Sequence, residues 1–172
     1  FFQPEKRFLR LGGARERLAL LAHAGLDGAV ILRFDAGLAA KSAEAFVSEI
    51  LLGKLKATTV VVGYNFHFGA GRRGSAEFLR EAAGRLGFRA VVVAPEGDDA
   101  PVSSTAIRNL LATGDVAAAN RLLGHRWFVI ATVAHGDKRG RELGFPTANL
   151  AIGPEAPLGM GIYAVRALIG KR

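Results

Sequence analysis

Hydrophobic residues in the first part of the chain recur every three or four positions, which is typical of helices with one buried face. The pattern predicts three helices, over residues 14–24, from a Ser42 cap to about Leu55, and from a Ser75 cap to Gly87. Serine favours a helix start because its hydroxyl accepts a first-turn N–H, and glycine favours a helix end. The residues expected to face inward are Leu18, Leu21 and Ala22 in the first helix and Phe46, Ile50 and Leu51 in the second.

Between these helices lie continuous apolar runs that are typical of buried strands. The runs are Gly28–Phe34, Thr58–Gly63 and Phe88–Ala94. A strand that is covered on both faces has apolar residues throughout, whereas a half-buried strand alternates. Such strands, separated by amphipathic helices, predict an α/β fold with a parallel sheet covered on both faces.

The pattern changes after Pro101. The predicted elements are a helix from about Ser104 ended by Gly114, a helix from Asp115 ended by Gly124, and strands at Trp127–Val133 and Gly161–Ile169. Because no helix separates the last two strands, a β domain is expected to begin near Gly124.

Composition narrows the classes of function. The 172 residues allow one domain or two small ones, and 50% of them are hydrophobic, which suffices for a packed core. The absence of Cys excludes disulfides and cysteine-ligated metals and is compatible with a reducing cytoplasm. There is no secretory signal, and no apolar run is long enough to cross a bilayer. The net charge of +8 fits nucleic acid, an anionic membrane or phosphorylated substrates.

The segment Gly136–Asn149, with the sequence GDKRGRELGFPTAN, carries the strongest candidate chemistry. Glycines let backbone N–H groups approach phosphate oxygens, and Lys138 and two arginines add positive charge. Thr147 and Asn149 lie two residues apart, so an extended backbone places both oxygens on one face, as Mg²⁺ would require. The segment therefore predicts a Mg-nucleotide site, and a solvated basic turn before a strand explains it equally well.

Three motifs in order resemble the bacterial bifunctional riboflavin kinase/FAD synthetases. They are Val62-Gly-Tyr-Asn-Phe-His-Phe-Gly69, Ser103-Ser-Thr-Ala-Ile-Arg108 with the following Gly114-Asp-Val and Leu122-Leu-Gly124, and Gly144-Phe-Pro-Thr-Ala-Asn149. The resemblance covers nearly the whole chain. It implies a Rossmann-like nucleotidyltransferase module, the FMN adenylyltransferase, over residues 1–123. Part of a β-barrel riboflavin kinase module is then implied over residues 124–172.

The resemblance implies that ATP phosphorylates riboflavin to FMN and that a second ATP adenylylates FMN to FAD, with Mg²⁺ as cofactor. It implies a cytoplasmic enzyme whose partners are riboflavin, FMN and ATP, without nucleic acid or membrane, and it leaves homo-oligomer formation open. The implied adenylyl-site residues are Ser104, Thr105 and Arg108, and the implied flavin-site residues are Asn65, Phe66 and Phe68. The implied kinase-site residues are Gly136, Lys138, Gly140, Arg141 and Thr147 for ATP, and Thr147 with Asn149 for Mg²⁺.

Simpler structural roles compete with these assignments. Ser103–Thr105 also fit a plain helix N-cap, and the aromatic residues after Gly63 could fold back into a core. The family's His-x-Gly-His element is not found, Ala100-Pro101 stand where some members have a basic residue, and the chain ends before the family's catalytic Glu. We therefore expect the middle of a longer enzyme, without an identified catalytic residue and inactive alone.

Two other classes were weighed. Gly69–Gly74 spells G-x-G-x-x-G, with Glu96 at a distance that suits a ribose contact in an NAD-dependent oxidoreductase. The predicted strand ends at Gly63, however, and five residues precede the first glycine, whereas an NAD fingerprint turns directly off its strand. A basic RNA-binding module lacks interleaved aromatic and basic residues. The histidines have no partners at ligand spacing, so no structural metal is predicted.

Overall fold

The structure, a computed structural model, describes residues 9–95, 102–137 and 139–170. The described residues of Val30–Pro101 form one compact unit, and those of Phe2–Ala29 and Val102–Arg172 form a second. The helices are α1 (Ala14–His23), α2 (Ala36–Ala39), α3 (Ala43–Ala45) with a π-helical continuation (Phe46–Lys54), α4 (Ala76–Leu86), α5 (Ser104–Ala112), α6 (Val116–Leu123) and α7 (Arg139–Glu142). The strands are β1 (Thr59–Gly63), β2 (His67–Phe68), β3 (Gly74–Ser75), β4 (Arg89–Val93), β5 (Val133–Ala134) and β6 (Asn149–Leu150).

The centre of the first unit is a β–α–β crossover. β1 and β4 pair in parallel, in a register that places Thr59 opposite Arg89 and Gly63 opposite Val93, and α4 connects them. The Ser75 hydroxyl accepts a hydrogen bond from the Phe78 N–H at 3.1 Å, as a serine cap does. These elements confirm the two later apolar runs as strands and the predicted α4.

The core of the first unit lies between this sheet and the helix that begins at α3. The buried residues of the core cluster are Ala43, Val47, Phe68, Leu79 and Ala82. Ser42 caps the helix as expected, and Ile50 is buried. Val47 is also buried, whereas Phe46 and Leu51 pack at the edge of the core. The π-helical continuation explains the difference, because i→i+5 bonding shifts which side chains face inward.

Two expectations for the sheet are wrong. Gly28–Phe34 forms no strand, and its apolar side chains are exposed, Ile31 by 68%. A strand needs a neighbour for its backbone hydrogen bonds, and no described strand pairs with this run. The β1–β4 pair is also not covered on both faces, because Val61 and Val93 are more than half exposed.

The second unit is organised around α5 and α6. Both helices were predicted, and Asp115 caps α6 by accepting the Ala118 N–H at 2.9 Å. Gly124 ends α6 in the left-handed conformation that glycine adopts easily. The buried residues of this core are Ile107, Leu111 and Ala119, packed against Leu11, Trp127 and Leu158.

Helix α1 has the predicted bounds but not the predicted buried face. Leu18 and Leu21 are exposed, and the buried side chain is that of Glu16. Periodicity located the helix, but it could not identify the carboxylate as the residue that turns inward.

The predicted strands Trp127–Val133 and Gly161–Ile169 are also wrong in the described chain. In the first run only the last residue is in a strand, β5, which consists of Val133 and Ala134 and pairs with β6. The second run forms no strand, and its Ile162 and Val165 are exposed. In the described residues the sheets are three two-stranded pairs within a mixed α/β fold. None of the described helices is both long enough and apolar enough to span a membrane.

Candidate functional site

The loop between β5 and β6 brings the two ends of the Gly136–Asn149 segment together. The strands pair antiparallel, with Val133 opposite Leu150 and Ala134 opposite Asn149. Gly136 consequently lies against the Asn149 side chain, and a Cβ atom at this glycine would overlap the amide nitrogen. Any side chain at position 136 would therefore force the Asn149 amide to move.

A second glycine of the same loop contacts Thr147. A Cβ atom at Gly140 would overlap the Phe145 carbonyl oxygen and lie 3.1 Å from the Thr147 hydroxyl oxygen. The Phe145 N–H donates to the Gly140 carbonyl at 2.7 Å, which closes the turn after α7. Gly144, with φ near +78°, supplies the left-handed residue of this turn. The structure thus brings the predicted kinase-site residues together in two separate pairs, Gly136 with Asn149 and Gly140 with Thr147.

The charges of this loop are exposed. Arg139 forms an ion pair with Asp137 at 3.3 Å between Nη2 and Oδ2, and both side chains are open to solvent. Arg141 is also exposed, and Lys138 lies outside the described residues. An exposed pair contributes little to stability, so the Arg139 guanidinium could exchange Asp137 for another anion at little cost.

The donor set of the loop fits a nucleotide phosphate accompanied by Mg²⁺. Gly136 and Gly140 make room for the Asn149 amide and the Phe145 carbonyl. Thr147 and Asn149 carry neutral oxygens of the kind that Mg²⁺ accepts. Across the described ranges, no group of three or more His, Cys, Asp or Glu side chains could hold a metal ion. A cation at this loop would consequently complete its shell with water and phosphate oxygens.

The second candidate region is the N-terminus of α5. The cap is Ser103, whose hydroxyl accepts the Ala106 N–H at 3.2 Å. Ser104 and Thr105 are exposed in the first turn, and the Thr105 hydroxyl accepts a hydrogen bond from Arg108 Nη2 at 3.1 Å. Capping therefore explains Ser103, while Ser104 and Thr105 lie exposed in the first turn and the partly buried Arg108 is hydrogen-bonded to Thr105. Ala100 and Pro101 lie outside the described residues.

The predicted flavin residues follow β1 and have different surroundings. Asn65 is exposed, and its carbonyl contacts His67 Nδ1 at 2.9 Å. Phe66 is exposed and stacks on Phe68, with ring centroids 5.3 Å apart. Phe68 itself is only 8% exposed and also packs against the rings of Phe46 and Phe78. Core packing accounts for Phe68 without a ligand, whereas Asn65 and Phe66 face solvent.

Two glycines of the Gly69–Gly74 pattern, Gly69 and Gly74, have packing roles. A Cβ atom at Gly69 would lie 2.7 Å from the Ala43 nitrogen, and one at Gly74 would lie 2.8 Å from the Phe68 ring. β2 precedes Gly69, so the pattern does not turn directly off the parallel strand. This geometry gives no support to an NAD site, and Glu96 lies outside the described residues.

Sequence reasoning missed Glu16. Its side chain is 9% exposed, and Oε1 accepts the Ile130 N–H at 2.6 Å. Burial disfavours the charged carboxylate, but hydrogen bonds from the Ile130 N–H and from the helix start outweigh burial and lower the pKa of Glu16. The only signal in the sequence is an acidic residue in a first helical turn, which usually faces solvent.

Comparison with known proteins identifies two families. The profile of the FAD synthetase family matches residues 1–106, and that of the riboflavin kinase family matches residues 123–172. Curated relatives named bifunctional riboflavin kinase/FMN adenylyltransferase occur in Escherichia coli K12 (39% identity, 97% of this chain, 54% of the relative) and Haemophilus influenzae (33%, 95% and 56%). The Pseudomonas fluorescens relative of the same name is 39% identical over 96% of this chain and 53% of its own length. The chain thus spans about half the length of these relatives.

A crystal structure from Streptococcus pneumoniae, described as a macrolide-efflux protein, is similar in fold. Its TM-score is 0.73 at 29% identity, over 91% of this chain and 51% of that chain. The activity in that description is unlike the activities named for the sequence relatives.

Proposed function

Because the chain belongs to the FAD synthetase family, we propose that it serves FAD biosynthesis through two successive reactions. ATP first phosphorylates riboflavin to FMN, and a second ATP then transfers AMP to FMN, giving FAD and pyrophosphate. The observation that carries the proposal is the pair of contacts that join Gly136 to Asn149 and Gly140 to Thr147. These contacts support the proposal because they fix the side chains of Asn149 and Thr147 within a basic loop.

We assign riboflavin phosphorylation to this loop. The backbone at Gly136 and Gly140 would approach the ATP phosphates, and Lys138 and Arg141 would offset their charge. Thr147 and Asn149 would hold Mg²⁺, which, when bound, spreads the negative charge that develops on the transferring phosphoryl group. Phosphoryl transfer depends mainly on positioning and charge, and these are what glycine contacts and cationic side chains supply.

We assign FMN adenylylation to the N-terminus of α5. Its N–H groups and the positive end of its dipole favour an anion, and Ser104, Thr105 and Arg108 add two hydroxyls and a guanidinium. The hydrogen bond from Arg108 to Thr105 supports this assignment, because it holds the guanidinium at the exposed helix start. The FMN phosphate is already an anion, so this step needs positioning more than a base.

The flavin would bind beyond the end of β1. Asn65 and Phe66 are exposed there, and ligands of parallel sheets bind at the carboxyl ends of the strands. Phe68 would support the Phe66 ring from beneath rather than contact the flavin with a free face.

The two assignments fit a division into two modules. The parallel β1–α4–β4 crossover supports a Rossmann-like adenylyltransferase module over residues 1–123. The antiparallel β5–β6 pair supports part of a β-barrel riboflavin kinase module over residues 124–172.

The experiment is to incubate the polypeptide made from its full reading frame with riboflavin, ATP and Mg²⁺, and to separate the flavins by chromatography. FMN should appear before FAD, and a chelator should stop both. Absence of both products, with the protein folded, would reject the proposal.

A further inference from the structure

Residues 10–16, which we name the strap, make three hydrogen bonds to the rest of the second unit. Two join the strap to the segment that precedes β5, and one joins it to the segment that follows β6. The Trp127 indole N–H donates to the Leu11 carbonyl at 2.7 Å, and the Ile130 N–H donates to Glu16 Oε1 at 2.6 Å. The Arg10 N–H donates to the Glu155 carbonyl at 2.8 Å. All of these residues belong to the second unit. The strap therefore contacts both the segment that enters β5 and the segment that follows β6.

Glu16 makes the only one of these contacts that uses a buried charged side chain. A buried carboxylate costs free energy unless it accepts hydrogen bonds, so the surrounding chain has to supply both donors and space for it. The two glycines before α1 allow it: a Cβ at Gly13 would lie 3.0 Å from Glu16 Oε2, and one at Gly12 would lie 3.0 Å from Glu16 Cβ. An acidic residue that only complemented the helix dipole would need no such space.

The backbone that Glu16 holds leads directly to the proposed kinase loop. Ile130 lies three residues before Val133, the first residue of β5. β5 places Ala134 opposite Asn149, and Asn149 in turn contacts Gly136. A displacement at Ile130 would therefore move β5 relative to β6.

We propose that Glu16 is a positioning residue for riboflavin phosphorylation: its carboxylate fixes the backbone at Ile130, and so holds Asn149 in place against Gly136. This role rests on the function proposed above for the Gly136–Asn149 loop. Glu16 lies in the region that matches the FAD synthetase family, yet its proposed effect is on riboflavin phosphorylation, which we assign to the region that matches the riboflavin kinase family.

The charge of Glu16 has a predictable pH dependence. Because its pKa is lowered in the folded chain, its contribution to stability is present above the ordinary carboxylate pKa and is lost as the pH falls through the folded value. Arg10, Arg15 and Glu155 line the same cavity of about 220 Å³. Of these groups, Arg15 is the one whose charge lowers the pKa of Glu16.

The test compares Glu16→Ala, Glu16→Gln and, as a control, Glu77→Ala in the full-reading-frame polypeptide. Trp127 is the only tryptophan of the 172 residues, and its hydrogen bond to Leu11 makes its emission a direct probe of the strap if no other tryptophan contributes. Glu16→Ala should shift Trp127 emission to the red and lower kcat for FMN formation by about tenfold, the loss of one charge-assisted hydrogen bond. The KM for riboflavin and the adenylylation of FMN should stay unchanged.

Glu16→Gln retains an oxygen that can accept the Ile130 N–H. It should keep near-normal emission and FMN formation at neutral pH. We expect the emission of the unsubstituted protein to fall at acid pH as Glu16 is protonated, and Glu16→Gln should lose this fall. Glu77 forms an exposed ion pair with Arg80 on α4, so its replacement should change none of these readings.

Normal FMN formation by Glu16→Ala, or an equal loss of FMN and FAD formation, would overturn the positioning role. If Glu16→Ala does not fold, Glu16→Gln tests the positioning role instead. The role would be overturned if the Trp127 emission of Glu16→Gln fell at acid pH as it does in the unsubstituted protein. Failure of the unsubstituted protein to make FMN would reject the proposed function and this role with it. The Trp127 emission would then still report separately whether Glu16 holds the strap.

Discussion

The two regions assigned to ATP are built in opposite ways. In the Gly136–Asn149 loop, glycines make room for the side chains of Thr147 and Asn149, and regular secondary structure is short. At the start of α5, a regular helix exposes Ser104 and Thr105 and leaves Arg108 partly exposed, while its other face buries Ile107 and Leu111.

This difference predicts different sensitivities. The loop depends on backbone shape, so adding a single carbon at a glycine should damage it more than removing a cation. The helix forms regardless of the exposed residues, so only the chemistry of their side chains should matter there. Adding an atom at a glycine should therefore impair the loop, and removing side-chain atoms should impair the helix site, so the two kinds of substitution distinguish the two regions.

The largest effect is expected for Gly136→Ala. Its Cβ would overlap the Asn149 amide, so Asn149 has to move, and misplacement of a site by about 1 Å can cost roughly a hundredfold in rate. FMN formation should fall by about that factor, whereas FAD formation from supplied FMN should persist. Gly84→Ala on α4 is the matched control, because no atom lies within 4 Å of its added carbon. Normal FMN formation by Gly136→Ala would contradict the claim that the loop depends on its backbone shape.

Arg108→Ala should have the next largest effect. Loss of one charge-assisted phosphate contact costs about 1.5–3 kcal/mol, or roughly a ten- to hundredfold reduction in FAD formation. FMN formation should be spared. Arg80→Ala, which removes a cation from an exposed ion pair on α4, controls for net charge. An FAD rate equal to that of the control would exclude Arg108 from the adenylyl site.

Ser103→Ala should have the smallest effect. The Ser103 hydroxyl caps α5, and loss of such a cap typically costs about 1 kcal/mol of stability. Chemical denaturation should register this cost, while FAD formation by the folded protein changes less than it does for Arg108→Ala. A loss of FAD formation as large as that of Arg108→Ala would mean that the cap hydroxyl itself serves the substrate.

Sequence patterns predicted the elements whose stability is mostly local. β1, α4 and β4 follow one another along the chain, and the Ser75 cap and Gly87 mark the helix ends, so pattern and capping suffice. The runs Gly28–Phe34 and Gly161–Ile169 have equally apolar sequences but form no strand. Whether such a run becomes a strand depends on a neighbour distant in sequence, which the run itself does not encode.

The candidate site divides in the same way. The chemistry of Thr147 and Asn149 stays a prediction from residue type and spacing. The glycines at positions 136 and 140 were predicted to let the backbone approach a phosphate, whereas in the structure they make room for the Asn149 side chain and the Phe145 carbonyl. The pairing of each glycine with a particular side chain required the β5–β6 register. Glu16 could not be predicted, because its partner Ile130 lies 114 residues further along the chain.

The central claim is that the chain contains two separate ATP sites, one for each reaction. The most direct measurement is the ratio of FMN formed from riboflavin to FAD formed from supplied FMN, in parallel reactions of Asn149→Ala, Thr147→Ala and Arg108→Ala. The account predicts that Asn149→Ala and Thr147→Ala lower the FMN rate and spare FAD formation, and that Arg108→Ala does the reverse. If all three substitutions lower both rates in the same proportion, the assignment of separate sites is wrong.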